Sequence, residues 1–470
     1  MTAPIRHRDA RILAGEATAA SPSRATPEAL ISALSPASLP RDTFIATTAR
    51  DRTRKLEAGG ESTAPSSAPS HGSRPAPSPA PCSGGLATGT DIMTLSNIRW
   101  CARWPRALAG DRKDHRYYEI VDQTIIQGFD YRYVAIRNRN GAIGAIVPFF
   151  VLDLDLLAGT RGLPRWIARH VRRLWPRFMH SRAVMVGCAA GEGHLDDPDE
   201  ISHEAQAHHL ALALLAYARK FDIGMIVFKE FPARYRAPLR LLKGHGFTAI
   251  PSFPAVRLNI AYASFDDYMR RALSRKTRKD LNAKLRKTEA SAPIGLTVMR
   301  DITSIIDEVY PLYLQVYDRA QFRLEKLTKA YLCGLGQTMR DRVRFFVWRQ
   351  RGRIIAFSLC MVHGEELHGE YLGFDDRLAH DLHLYHYVFR DVVRWGMAHN
   401  FKTLRTNGAS YDPKLHLRFR LDPVDLYVRH TSPTINRALA WLLPFIEPTR
   451  YDPLLRRFPN TDELWDFPKS

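Results

Sequence analysis

Alternating apolar and polar positions mark "YRYVAIRNRNGAIGAIVPFFV" as two strands around a turn at Asn138 to Gly141. "RAVMVG" reads as another strand. In "ISHEAQAHHLALALLAYARKF", apolar residues at 210, 212, 214, 215 and 217 predict a long helix. "DIGMIVFKEF" then reads as a buried strand, "APLRLLKGHGF" as a short helix stopped by glycine, and "AVRLNIA" as a strand. A second run repeats this order. "GLTVMRDI" is a strand and "TSIIDEVYPLYLQVYDRA" a helix. "VRFFVWRQRGRIIAFSLCMVHGEELHGEYLGFD" makes three antiparallel strands, with turns at Arg349 to Arg353 and His363 to Glu366. "DLHLYHYVFRDVVRWGMAHNF" is a helix, and "TLRTNGASYD" and "VDLYVRH" are strands. Hairpin, strand, long helix and strand, met twice, predict a duplicated α/β unit with mixed, largely antiparallel sheets.

Composition draws the boundaries. Residues 1–92 include the Pro/Ser/Ala-rich "ESTAPSSAPSHGSRPAPSPAPCSGG" and are expected to be disordered. Globular patterning starts at Met93, and one expectation is that native translation begins there. The first lobe is expected over 93–262. The second spans 263–432 and includes a basic helix over 264–288. A tail, 433–470, is expected to pack on the second lobe.

The net charge of +20 favours an anionic partner such as nucleic acid, a phosphorylated co-substrate or an anionic membrane. Cys82, Cys101, Cys188, Cys333 and Cys360 form no CxxC pair, which disfavours a disulfide framework or a zinc ribbon. No apolar run reaches 20 residues and no signal-peptide core is present, so a cytoplasmic location is expected. His380, His383 and His386 spread too widely around a helix to ligate one ion, and "HEAQAH" lacks HExxH spacing, so no metal is expected.

Charge concentrates in "LSRKTRKDLNAKLRK", residues 273–287. On one helix, Arg271, Arg275, Arg278 and Arg286 share a sector of about 80°. Lys276, Lys279, Lys284 and Lys287 occupy another, and Leu273, Leu281 and Leu285 a third, apolar one. Arginine's planar fork suits phosphate, whereas lysine is a hydrated point charge. The segment is thus either a solvated helix joining two lobes or a phosphate-recognising wall. "RGLPRWIARHVRRLWPRF", 161–178, interleaves Arg with Trp. It suits either a packed insertion or contact with an anionic membrane.

"SRKTRKDLNAKLRKTE", "GRIIAFSLCMVHGEELHGEYLGFD" and "NGASYDPKLHLRFRLDP" together resemble the second lobe of FemAB-like and BioF2-like members of the Gcn5-related N-acetyltransferase (GNAT) superfamily. The resemblance covers roughly residues 117–430. It implies two tandem GNAT lobes and an enzyme transferring an acyl group to an amine, with acetyl-CoA or another acyl-CoA as co-substrate. The acceptor would be a small molecule or a peptidoglycan or lipid precursor. Aminoacyl transfer from tRNA is the alternative, and a non-catalytic binder of anionic surfaces is another. The usual glycine-rich turn after the fourth strand is replaced by "DDRLAHDLHLYH". Glu370 and Asp375 flank the strand where the fold places its base. Tyr385 and Tyr411 are candidate hydroxyl donors, as is Tyr371. Lys414 matches a lysine that members often carry, and it joins Arg271, Arg275, Arg278 and Arg286 as a candidate for gripping the donor.

Overall fold

The computed structural model describes residues 89–155, 180–319, 324–408 and 410–467. The basic segment at 161–178, with its expected membrane contact, lies outside them.

Fourteen strands of the described residues form two seven-stranded sheets. They are β1 (Thr90–Met93), β2 (Asp130–Arg137), β3 (Ile143–Asp155), β4 (His180–Val186), β5 (Met225–Pro232), β6 (Thr248–Pro251) and β7 (Ala255–Asn259). The others are β8 (Ile294–Met299), β9 (Val343–Gln350), β10 (Arg353–His363), β11 (Glu366–Phe374), β12 (Thr403–Thr406), β13 (Arg420–Asp422) and β14 (Val424–His430). The first sheet runs β1-β2-β3-β4-β5-β14-β6 and the second β13-β7-β12-β11-β10-β9-β8. Each has an antiparallel run of four strands, one parallel pair (β4–β5 or β11–β12), then two antiparallel strands.

The sixth strand of each sheet comes from the other half of the sequence. The boundary drawn at 262/263 therefore misplaces β7, which pairs with β12, and the one at 432 misplaces β14, which lies between β5 and β6. This exchange ties the lobes into one unit, because neither sheet closes without the other half. The expected disordered segment also ends too late, since Thr90–Ile92 already pair with β2.

The longer helices are α1 (His115–Thr124), α2 (His203–Lys220), α3 (Phe265–Ala272), α4 (Arg275–Glu289), α5 (Ile306–Arg319), α6 (Lys329–Thr338), α7 (Leu384–Ala398) and α8 (Pro433–Ile446). Helix α2 starts where the Ser202 hydroxyl accepts from the Ala205 N–H at 3.2 Å, and ends in Arg219 and Lys220, which complement its dipole. The single basic helix expected over 264–288 is two. Leu273 is extended, and the Ser274 hydroxyl caps α4 by accepting from Thr277 N at 3.2 Å. An extended residue breaks the helical register, so Arg271 does not share a sector with the α4 arginines.

One core cluster joins the lobes: Tyr117 and Ile120 of α1 meet Tyr331 and Leu335 of α6 between the sheets. The outer face of the second sheet is covered by α3, α4 and α7 through Phe265, Leu281, Leu285 and Val388. The tail divides: α8 packs on β14 and β6 of the first sheet, while Leu455, Phe458 and Leu464 join the second core.

Candidate functional site

Strands β11 and β12 pair only from Glu366–Thr403 to Gly369–Thr406. There β12 stops while β11 runs on to Phe374, so the two part and open a wedge. A bulge sits at the same point. Leu359 faces Tyr371 and Cys360 faces Gly369, leaving Glu370 as the extra residue. Strand β5 of the first lobe bulges too: Asp425 faces Phe231 and Tyr427 faces Phe228, with Lys229 and Glu230 opposite a single residue. Glu230 takes a left-handed φ of 53°, a strained conformation for a non-glycine residue. Both bulges turn their side chains into one cavity of about 620 Å³ between the lobes. Phe253, Val388, Phe389 and Phe419 supply apolar wall. Lys229, Glu230, Glu325, Glu370, Tyr371 and Lys414 supply the chemistry.

Charges around the cavity form a chain from one lobe to the other. Arg112 Nε donates to Glu370 Oε1 at 2.7 Å, and Lys113 Nζ lies 3.1 Å from Oε2. Arg112 also approaches Glu192, which pairs with Arg405, which in turn binds Asp422. Burial alone would raise the Glu370 pKa, but Arg112 and then Lys113 outweigh it and hold the carboxyl down at about 2. Lys229 Nζ donates to Glu230 Oε2 at 2.7 Å and to the Gly191 carbonyl at 2.8 Å. Lys113 Nζ donates to the Ala190 carbonyl at 2.6 Å. The glycines of "GCAAGEG" thus serve two buried ammonium groups. A Cβ on Gly191, at φ 134°, would strike Lys113 Nζ, and one on Gly193 would sit 2.6 Å from the Lys229 carbonyl.

Burial raises the pKa of Glu230, with Lys229 opposing, and likewise of Glu325. Tyr371 donates its hydroxyl to Glu325 at 2.8 Å. Lys414, buried on the short helical turn Tyr411–His416, donates to the Asn407 carbonyl at 2.7 Å. Burial pushes its amine down to about 7 from an ordinary 10.5. An amine with that pKa exchanges protons near neutrality, as a general base must.

Of the residues expected from sequence, Glu370, Tyr371, Tyr385 and Lys414 line this cavity. Burial raises the Tyr385 phenol, so it stays protonated. Tyr411 lies elsewhere, donating to the Pro254 carbonyl at 2.8 Å in a buried spot. Asp375 caps a helical turn, accepting from Arg377 N at 3.0 Å, with Arg353 at 3.8 Å. The arginines of the expected guanidinium wall do not line the cavity. Arg271, Arg275 and Arg286 are exposed, and Arg278 donates to the carbonyls of Arg270 (2.9 Å) and Leu273 (3.3 Å) at the end of α3. The apolar stripe Leu281/Leu285/Thr288 that docks α4 on α7 leaves the arginines on the solvent side. The lysine face comes closer to a site: Lys284 Nζ lies 3.5 Å from His386 Nε2 in the first turn of α7. His383 is the N-cap of α7 at φ 44°, so the three histidines do not share one helix.

Residues 275–414 match the family model described as "Acetyltransferase (GNAT) domain". No curated protein matches the chain. Among solved structures, the chain is similar to FemX, at 12% identity over 72% of this chain and 96% of that one, TM-score 0.44. It is similar to the C-terminal domain of a putative lysylphosphatidylglycerol synthetase from Agrobacterium fabrum, at 12% identity over 70% and 95%, TM-score 0.42. It is also similar to Saccharomyces cerevisiae N-myristoyltransferase with bound myristoyl-CoA, at 11% identity over 73% and 79%, TM-score 0.40.

Proposed function

We propose that this chain, whose residues 275–414 match the model described as "Acetyltransferase (GNAT) domain", moves an acyl group from acyl-CoA to a primary amine held between the lobes. One observation carries the proposal: the Lys414 amine, at a pKa of about 7, faces the cavity into which the β11–β12 wedge opens.

The residues present fit an acyl-CoA. Beyond Gly369, β11 has no strand partner on the β12 side; the Glu370 carbonyl accepts from Asn407 Nδ2 at 3.2 Å, and the backbone groups further along suit the amides of an extended donor arm. The α7 N-terminus has no side-chain cap, and Lys284 stands beside its first turn. Together they supply positive ends for the diphosphate, although the turn before α7 lacks glycine. In the cavity, Glu230 and Glu325 attract the acceptor's ammonium. Lys414, half neutral at pH 7, takes its proton. The freed amine can then form the C–N bond as the C–S bond breaks; the sulfur leaves with the bonding pair, takes the second proton that the new amide nitrogen sheds, and departs as free thiol. Backbone N–H groups of β11 past the end of β12 would serve the carbonyl oxygen as it gains charge. Glu370, ionised and held by Arg112 and Lys113, keeps the lobes in register and is too weak a base for this step.

A panel of acyl-CoAs and amines, followed by release of free thiol, tests the proposal. Release should need both partners and should fall sharply in Lys414→Met. Thiol release that ignores the amine, or persists in that variant, removes it. A second reading, aminoacyl transfer from tRNA, is favoured by the exposed Arg275, Lys276, Lys279, Arg286 and Lys287 of α4. It requires co-purifying RNA that dissociates steeply with salt.

A further inference from the structure

Helix α8, "PTINRALAWLLPFI", is apolar on nearly every side yet lies at the surface. Its inner face is accounted for: Leu443 is fully buried, and Leu439 and Leu442 pack against the shared core. Its rotation is fixed by Asn436, which donates to the Gly246 carbonyl at 2.9 Å and accepts from His430 N at 2.8 Å. The outer face therefore cannot turn inward. It carries Trp441 (71% exposed) and Phe445 (55%), joined by Tyr451 (59%) from the following segment. The Trp441 and Phe445 rings pack at a tilt of 50° with centroids 5.6 Å apart, and the Tyr451 hydroxyl donates to the Phe445 carbonyl. Beyond the helix, the buried Glu447 accepts from Thr449, from Arg450 N at 3.1 Å and from Trp465 Nε1 at 2.9 Å. The chain after α8 is thus pinned, and the aromatic patch is a built surface rather than a frayed end.

Arg437 and Arg456 are exposed in the segments that carry the patch, and Arg450 pairs with Glu447 at 3.3 Å. The nearby acids are engaged, Glu447 as above and Asp452 in accepting from Leu454 N at 2.8 Å. A Trp/Tyr/Phe patch with arginines in the same segments matches the boundary between acyl chains and anionic headgroups, where amphipathic rings and guanidinium groups are each favoured. A second copy of the chain fits less well. Two-fold apposition of the patch would set Arg437 and Arg456 against their own copies. No helix of the described residues is long and apolar enough to cross a membrane, so the contact would be peripheral.

We infer that the outer face of α8, with Tyr451, docks the protein on an anionic bilayer surface. This inference stands independently of the transfer reading. The test is flotation of the full chain with vesicles of phosphatidylcholine alone or with roughly a third phosphatidylglycerol, at low and high salt. Wild type should float with the anionic vesicles at low salt and less at high salt. Trp441→Ser with Phe445→Ser should cut partitioning about tenfold or more at unchanged melting temperature, the side chains being exposed. Arg437→Glu with Arg456→Glu should abolish the preference for anionic lipid. Unchanged binding by the aromatic double variant would place any membrane contact elsewhere and overturn the inference. So would failure of wild type to bind, or a wild-type dimer that the aromatic variant separates in sedimentation velocity, which would make the patch a contact between copies.

Discussion

Lys414→Met should make the protein more stable and nearly inactive. Methionine matches lysine in length, so the perturbation removes the amine and little volume. In the unfolded chain the amine titrates near 10.5, and in the folded protein near 7. The folded pKa is depressed, so between those values the unfolded chain binds the extra proton and wild-type stability rises with pH. Below pH 7 the full gap opposes folding, about 5 kcal/mol. Loss of the hydrogen bond to the Asn407 carbonyl takes back about 1 kcal/mol. The variant should therefore gain about 3–4 kcal/mol at pH 6, and the gain should shrink as pH climbs from 7 towards 10.5. Catalysis moves the other way. At pH 7 a lysine of ordinary pKa is only about 0.03% neutral, whereas Lys414 is about half neutral, and kcat should fall about 10²–10⁴-fold without it. In wild type, the kcat/KM profile should rise with unit slope to a bend near pH 7. That bend should stay put between two acceptors whose own ammonium pKa values differ. Urea melts at pH 6 and 9, with the pH–rate profile, make the assay. A flat profile from pH 6 to 8, or a Met variant that is less stable and still active, would refute the reasoning.

Glu370→Gln should destabilise by about 3–5 kcal/mol in chemical denaturation, because Arg112 and Lys113 are then buried without their counter-ion. In wild type the depressed Glu370 pKa contributes about 3 kcal/mol above pH 4.5, lost as pH falls towards 2, so acid unfolding should steepen over that range. Gly193→Ala should cost about 1–3 kcal/mol in a thermal melt, since its Cβ would press on the Lys229 carbonyl and, at 2.5 Å, on the Phe231 ring. Arg275→Ala with Arg278→Ala should leave the acyl-CoA KM within about twofold and stability within about 1 kcal/mol, since neither side chain faces the cavity. A large rise in that KM would restore the arginine face to the donor site.

Periodicity revealed the elements, because a strand or helix with one buried face must alternate with its own period. The exchange of β7 and β14 was not legible: β7 alternates buried and exposed residues and β14 is buried almost throughout, and neither pattern names the sheet a strand joins. The basic segment misled because helical sectors were projected through Leu273 and Ser274, where a serine cap was in plain view. Resemblance and position on a strand pointed to Lys414 and Glu370, both of which line the cavity, but in other roles: Glu370 was expected as the base and Lys414 as a grip on the donor. Lys229 and Glu230 were missed, though a Lys-Glu pair inside the apolar "MIVFKEFP" was a usable signal: charges enter such a strand only when paired or functional. Glu325 and Arg112 carried no local sign, since their meeting at the cavity depends on how the two lobes dock.

The central claim is that the wedge and the cavity it opens into bring an acyl thioester beside the Lys414 amine. Mass spectrometry of the acceptor after incubation with isotopically labelled acyl-CoA tests it most directly. The claim expects one labelled acyl group on an amine nitrogen, with equal thiol released, and neither with Lys414→Met. Label that stays on CoA across the amine panel, while charged tRNA transfers its aminoacyl group instead, would contradict it.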